Sequence, residues 1–267
     1  VALENRCDVH IHTVFSYHAY STVEENVRAA HDRGLEILGI ADHFSPLVSV
    51  SGDFREYQHF VNQNCWPRQW MGVTLLRGAE VDIVDLEGTF FGAAKDKTSG
   101  FFGEGRAPFS LLEECTRDCD YLVASVHEKG FAAGATPEQL AAMYGAAACH
   151  PKVLILGHIG RTGLPFDIDS LLDVVAAQHK LVEINEHSFD LSAGASPVME
   201  ARCEAIVRAC AERDISIAVN TDAHISFDVG RVPRAMALLK RVGFPERLVA
   251  TRSAEAFLEA AAPVFSL

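Results

Sequence analysis

Asp8-Val9-His10-Ile11-His12 reads as an extended run, and His18 follows it closely. Side chains at positions i and i+2 of a strand leave the same face, so His10 and His12 can present two imidazoles to one point. A His-x-His pair alone is also common in cores and on surfaces. Its meaning therefore rests on where the other histidines and carboxylates fall.

Working outward, the chain alternates short apolar runs with helical segments. Ser21, with Glu24 three residues on, predicts a helix start, and that helix ends near Gly34. Leu35-Glu36-Ile37-Leu38-Gly39-Ile40 predicts a second strand running into Asp42-His43. Residues 73–83 predict a third, carrying Glu80 and Asp82, with residues 86–91 as a hairpin return. Further strands over 121–126, 153–156, 181–185 and 215–219 lead to His127, to His158, to Asn185, and to Asn220-Thr221-Asp222-Ala223-His224. Helices are predicted over 109–115, from Thr136-Pro137, over 196–213, 233–241 and 254–261. This alternation signals a mostly parallel α/β sheet or barrel. Metal-type residues recur at the C-terminal ends of the strands, which form one rim in a (β/α) barrel. Residues 1–267 are read as one domain, with loop insertions at about 44–70 and 86–108.

Composition sets bounds. A hydrophobic content of 49% supports a substantial core, and 22% charged residues argue against disorder. No apolar run approaches the roughly 20 residues of a membrane span, and no secretory signal opens the sequence. Seven scattered cysteines without a C-x-x-C predict no disulfide framework and fit a reducing cytoplasm. Cys203 and Cys210 read as buried small hydrophobes. A net charge of −13 opposes attraction to nucleic acid or anionic lipid but leaves a small anionic substrate open.

The ordered set His10-x-His12, His18, Asp42-His43, Glu80, His127, His158 and Asp222-x-His224 resembles the polymerase and histidinol phosphatase (PHP) superfamily, and within it the bacterial trinuclear-metal phosphatases. The likeness extends to Arg77-Gly78-Ala79-Glu80, Glu183-Ile184-Asn185 and Thr221-Asp222-Ala223-His224. It implies a distorted (β/α)7 TIM-like barrel and three divalent ions, zinc, manganese or iron. His10, His12, Glu80 and Asp222 would hold the first ion, Glu80 would bridge to a second bound by His127 and His158, and His18, His43 and His224 would bind the third. The sequence departs from the pattern at Ile159-Gly160, where many relatives have proline, and in the stretch 92–108.

Such a cluster outweighs the charge of Glu80 and Asp222 and leaves a cationic pocket in an acidic protein. A phosphate oxyanion suits it. The nucleophile would be a metal-bound hydroxide, formed as the ion lowers the pKa of water towards about 7, with no side-chain base assigned. The reading is a metal-dependent phosphomonoesterase acting on a small phosphorylated metabolite. Arg161 and His187 are the candidate substrate contacts, and Asp8 and Asp42 either orient ligand histidines or serve turns. His31, His59, His150 and His179 read as surface or capping residues. His127-Glu128 lacks the second histidine of a zinc-protease motif, since position 131 is Phe. A PHP-type nuclease has against it the absence of a basic stripe. A C–N amidohydrolase has against it Glu80 as bridge and the terminal Asp-x-His. A non-enzymatic metal-binding protein would need a closed site. Oligomerisation is compatible with all of these.

Overall fold

Alternating apolar strands and amphipathic helices bury the sheet either as an open sheet covered on both faces or as one curled on itself with helices outside, and here it curls. In the computed structural model, residues 3–48, 57–94, 96, 97, 109–190, 194 and 196–265 are described. The seven principal strands are β1 (Cys7–Ile11), β2 (Ile37–Ile40), β3 (Val73–Asp82), β4 (Tyr121–Ser125), β5 (Val153–Leu156), β6 (Leu181–Asn185) and β7 (Ile217–Asn220). The helices are α1 (Val23–Asp32), α2 (Gln58–Val61), α3 (Leu111–Thr116), α4 (Pro137–Ala148), α5 (Ile168–Ala177), α6 (Pro197–Glu212), α7 (Pro233–Val242) and α8 (Ala254–Phe265).

The strands run parallel in the order β1 to β7. The ring closes just beyond β7, through a parallel bridge between Ile11 and Ala223 and hydrogen bonds from His12 N to Ala223 O (2.9 Å) and from Asp222 N to His10 O (2.8 Å). The result is the distorted seven-stranded barrel expected from the sequence. Strands β5 and β6 fall on the expected residues, and the others shift by one or two positions. The return after β3 is present as an Ile83–Phe90 antiparallel bridge. Of the two expected insertions, residues 49–56, 95 and 98–108 lie outside the described residues. No helix among those described is long and apolar enough to cross a membrane.

One local expectation is corrected. Thr22, not Ser21, caps α1, in a capping box with Glu25. Ser21 instead accepts a hydrogen bond from Ser226 N at 2.8 Å, which ties the loop after β1 to the loop after β7.

The bottom of the barrel is filled by a few interlocking groups. Tyr121, fully buried, donates its hydroxyl to Val9 O at 2.6 Å. Gly39 and Gly78 make room for that ring. A Cβ on Gly39 would stand 2.1 Å from the Tyr121 hydroxyl and 2.9 Å from Val9 Cα. Phe257, Ala261 and Val264 of α8 pack with Cys7, Val9 and Tyr121, closing the end opposite the rim. We expect Gly39→Ala to cost about 1–3 kcal/mol through overpacking. Urea unfolding measures it, and adding Tyr121→Phe should return part of the loss. If the two changes were additive, the contact would not be limiting.

Candidate metal centre

Each strand delivers its polar groups to the C-terminal rim. Strand β1 presents His10, and His12 follows directly past its end, both fully buried. Thr13 then caps a short turn, Val14–Ser16. Ser16 Oγ donates to Asp42 Oδ1 at 2.7 Å and stands 3.1 Å from His12 Nδ1, and the chain turns back there to bring in His18. His43 lies in a two-residue strand that pairs in parallel with Glu80 and Val81. His127 and His158 stand just past β4 and β5, and Asp222 and His224 just past β7. His158 and Asp222 adopt positive φ (32° and 57°), a region that side-chain-bearing residues enter only where surroundings hold them.

These side chains converge on two carboxylates. His158 Nε2 (2.8 Å), His10 Nε2 (3.3 Å) and His127 Nε2 (3.4 Å) face Glu80 Oε1. His43 Nδ1 (2.7 Å) and His12 Nε2 (3.6 Å) face Glu80 Oε2. Around Asp222 Oδ1 stand His12 Nε2 (3.0 Å), His224 Nδ1 (3.7 Å) and His10 Nε2 (3.8 Å). His18 Nε2 and His224 Nε2 oppose each other at 2.8 Å. All nine side chains expected as ligands meet at one rim. Their atoms form overlapping groups: His10–His12–Asp222, His12–His43–His224 and His43–Glu80–His127. His43 thus sits with Glu80 and His127 as well as with His224.

The hydrogen bonds fix which nitrogens are free. His10 Nδ1 faces Glu183 Oε1 at 2.8 Å, His127 Nδ1 is bonded to Asp82 Oδ1, and His224 Nδ1 faces the Asp222 carbonyl at 2.8 Å. In each neutral ring the proton belongs on Nδ1, leaving an Nε2 lone pair aimed into the centre. His10 Nε2, both ring nitrogens of His43, and Glu80 Oε2 are buried without a hydrogen bond. Buried polar atoms are normally paired, and lone pairs aimed at carboxylates require a cation between them. The donor set therefore fits divalent metal, with outer partners that fix ring orientation.

Electrostatics agrees. Burial opposes ionisation of Glu80 and Asp222, but the histidines around them hold both well below the usual carboxylate range. His12 is pushed down to about 3, by burial first and then by His43, and His18 down to about 4, by burial and then His224. Both are neutral at pH 7. Burial also disfavours the imidazolium of His10, yet Glu183, Glu80 and Asp222 raise its pKa well above the ordinary value. The carboxylates draw positive charge inward.

His18, His43, Leu47, His127, Lys129 and Arg161 help line a cavity of about 240 Å³ over this cluster. Arg161 Nη1 lies 3.2 Å from Asp222 Oδ2, and His187 Nδ1 lies 4.0 Å from the same oxygen. Both candidate substrate contacts are thus at the rim. Asp8 makes no hydrogen bond to the clustered histidines. It accepts from Thr221 N (3.2 Å), Thr221 Oγ1 (2.5 Å) and Gly230 N (2.8 Å), tying β1 to the segment that carries Asp222. Asp42 acts one bond away, through Ser16. His59 is not a surface residue: it stacks on Phe15 at 4.3 Å and stands 3.0 Å from Asp42 Oδ2.

Sequence reasoning gave Asp82 and Glu183 no role at the site. Both lie in Glu80-x-Asp82 and Glu183-x-Asn185 pairs, the same alternation that drew attention to His10-x-His12, so period two was the available signal. We expect Asp82→Asn to weaken metal affinity about 10–100-fold, as outer partners of ligating histidines do. Metal titration of the variant checks this, and unchanged affinity would remove Asp82 from the site.

The PHP domain family profile matches residues 8–187. A probable phosphatase of Clostridium botulinum (strain Okra) is 31% identical over 252 residues, covering 94% of this chain and 92% of its own. One from Caldanaerobacter subterraneus subsp. tengcongensis is 34% identical over 248 residues, covering 93% and 87%. Among solved structures, histidinol phosphate phosphatase of Lactococcus lactis, complexed with zinc, L-histidinol and phosphate, superposes with a TM-score of 0.57 at 20% identity, covering 90% of this chain and 95% of its own.

Proposed function

The chain belongs to the PHP domain family, and from that premise we propose that it is a metal-dependent phosphomonoesterase acting on a small phosphorylated metabolite. The observation that carries this is Glu80: one fully buried carboxylate faced by imidazoles from five different positions, His10, His12, His43, His127 and His158. Phosphatase is also the activity in the names of the relatives, and the L. lactis structure holds zinc and phosphate.

On this reading three divalent ions share the site. His10, His12, Glu80 and Asp222 would hold one, Glu80 with His127 and His158 a second, and His18, His43 and His224 a third. Zinc, manganese and iron all suit imidazole-rich donors with some carboxylate. Divalent ions held there lower the pKa of water and polarise a phosphoryl oxygen.

The remaining work falls to the chain itself. Glu183 and Asp82 hold His10 and His127 in one orientation. Arg161, and Lys129 anchored on Thr162 O at 2.8 Å, bring positive charge to the mouth, where a phosphate oxyanion enters. Asp222, the carboxylate lining that mouth, is held ionised by His10 and His12, which makes it a poor proton acceptor. No side-chain base is therefore assigned. Dialysis against chelator should abolish release of phosphate from a phosphomonoester, and adding back manganese or zinc should restore it. Full turnover in metal-stripped protein would refute the proposal.

A further inference from the structure

Two helices end in the same way at the base of the barrel, and one of them breaks the pattern. After α5 the chain turns at His179 (φ 51°), with His179 N bonded to Ala176 O at 3.2 Å and Lys180 N to Val175 O at 3.0 Å. After α6 it turns at Asp214 (φ 54°), with Asp214 N bonded to Ala211 O at 3.4 Å and Ile215 N to Cys210 O at 3.0 Å. This is the Schellman turn, whose second residue past the cap commonly packs an apolar side chain back on the helix. Ile215 is buried in that position, at 4% exposure. Lys180 holds the equivalent position, and the whole residue is only 7% exposed.

Lys180 has no partner for its charge. Among the described residues its ammonium makes no hydrogen bond and no ion pair. Burial lowers its pKa, and the group that opposes the shift is Cys149 rather than a carboxylate. His150 nearby is lowered by burial and then by Lys180 and Lys152, so cations dominate its surroundings. Lys180 lines a cavity of about 260 Å³, walled by Val175, Leu181, Ile215 and Pro263. Leu181 opens β6 and Ile215 directly precedes β7, so this cavity lies at the end opposite the metal centre. The other charged side chains lining it are provided for. Arg213 pairs with Asp169 at 2.7 Å, Asp214 pairs with Arg247, and Glu259 is exposed to water. A hydrated charge needs no partner, whereas a buried one without a counter-ion is costly.

We propose that this cavity is a second binding site, for a short-chain carboxylate. The carboxylate meets the Lys180 ammonium, and its alkyl chain lies on the apolar walls. Inorganic phosphate suits the cavity less, because the walls are apolar and no second unpaired cation lines it among the described residues. The site stands independently of the phosphatase reading.

Butyrate is the probe, and butyramide, of the same shape without the charge, is its control. In ligand-observed NMR titrations of metal-loaded protein, butyrate should bind with a Kd on the order of 1 mM and butyramide about tenfold more weakly. Lys180→Met, similar in shape and uncharged, should remove that difference. Ala260→Leu, which fills the cavity from α8 and leaves the lysine, should weaken both ligands. Without ligand, Lys180→Met should match or exceed wild type in its urea midpoint, because it removes a buried charge that has no counter-ion. Equal affinity for the two probes overturns the site. So does a butyrate Kd unchanged in Lys180→Met or in Ala260→Leu, since a carboxylate held by the metal centre would ignore both changes. A urea midpoint that falls in Lys180→Met shows that the ammonium is paired within the protein, and overturns the site as well.

Discussion

Protein carrying Glu80→Ala should retain its fold and lose more than one equivalent of metal, with phosphate release falling on the order of a thousandfold, several kcal/mol of charge stabilisation. The size of the effect follows from where Glu80 stands. Its Oε1 faces His158, His10 and His127, and its Oε2 faces His43 and His12, so both oxygens serve different groups of rings. Removing a ligand at one ion alone would cost about one equivalent. If Glu80 is shared as proposed, its removal would also leave the imidazoles facing one another without the anion that would balance the ions. Glu80→Gln, of nearly the same volume, separates charge from packing: it should keep stability and still lose metal. Metal analysis of both variants reads the outcome, and a content equal to wild type would show that Glu80 does not bridge.

Glu183→Ala should be the most damaging change for stability, by about 3–5 kcal/mol, because it orphans several buried groups at once. Glu183 is nearly fully buried, and burial opposes its charge, yet His10, by charge and hydrogen bond, and then His158 hold its pKa below the ordinary value. Oε1 stands 2.8 Å from His10 Nδ1 and accepts from Asn220 Nδ2 at 2.8 Å. Oε2 accepts from His158 N at 2.7 Å and Asn185 Nδ2 at 3.1 Å. One side chain on β6 thereby joins β1, β5 and β7 under the rim. The midpoint of urea unfolding measures the loss. A cost under about 1 kcal/mol, that of an ordinary surface change, would show that these bonds are replaced on relaxation.

Much of this arrangement was legible from the chain alone. Period-two pairs and apolar runs located the strands, and the strand-end position of His127, His158 and Asp222 implied a common rim. The order of nine metal-type residues carried the family. Less legible were contacts that depend on three dimensions. Thr22 and Ser21 both suit a cap in sequence, and in the fold Thr22 takes it while Ser21 is engaged by Ser226. Glu183 reads as one more acid in an apolar strand until the curl of the sheet brings His10 beside it. His59 sits in an unremarkable polar stretch, and its place beside Asp42 depends on how the segment after β2 folds back.

The most direct test is anomalous diffraction at the zinc, manganese and iron edges, from crystals of protein purified without chelator. Three peaks are expected inside the ring of His10, His12, His18, His43, His127, His158 and His224, neighbouring ions about 3.5–4 Å apart and one pair sharing Glu80. Peaks elsewhere in the molecule, with the Glu80 carboxylate bound to none, would contradict it.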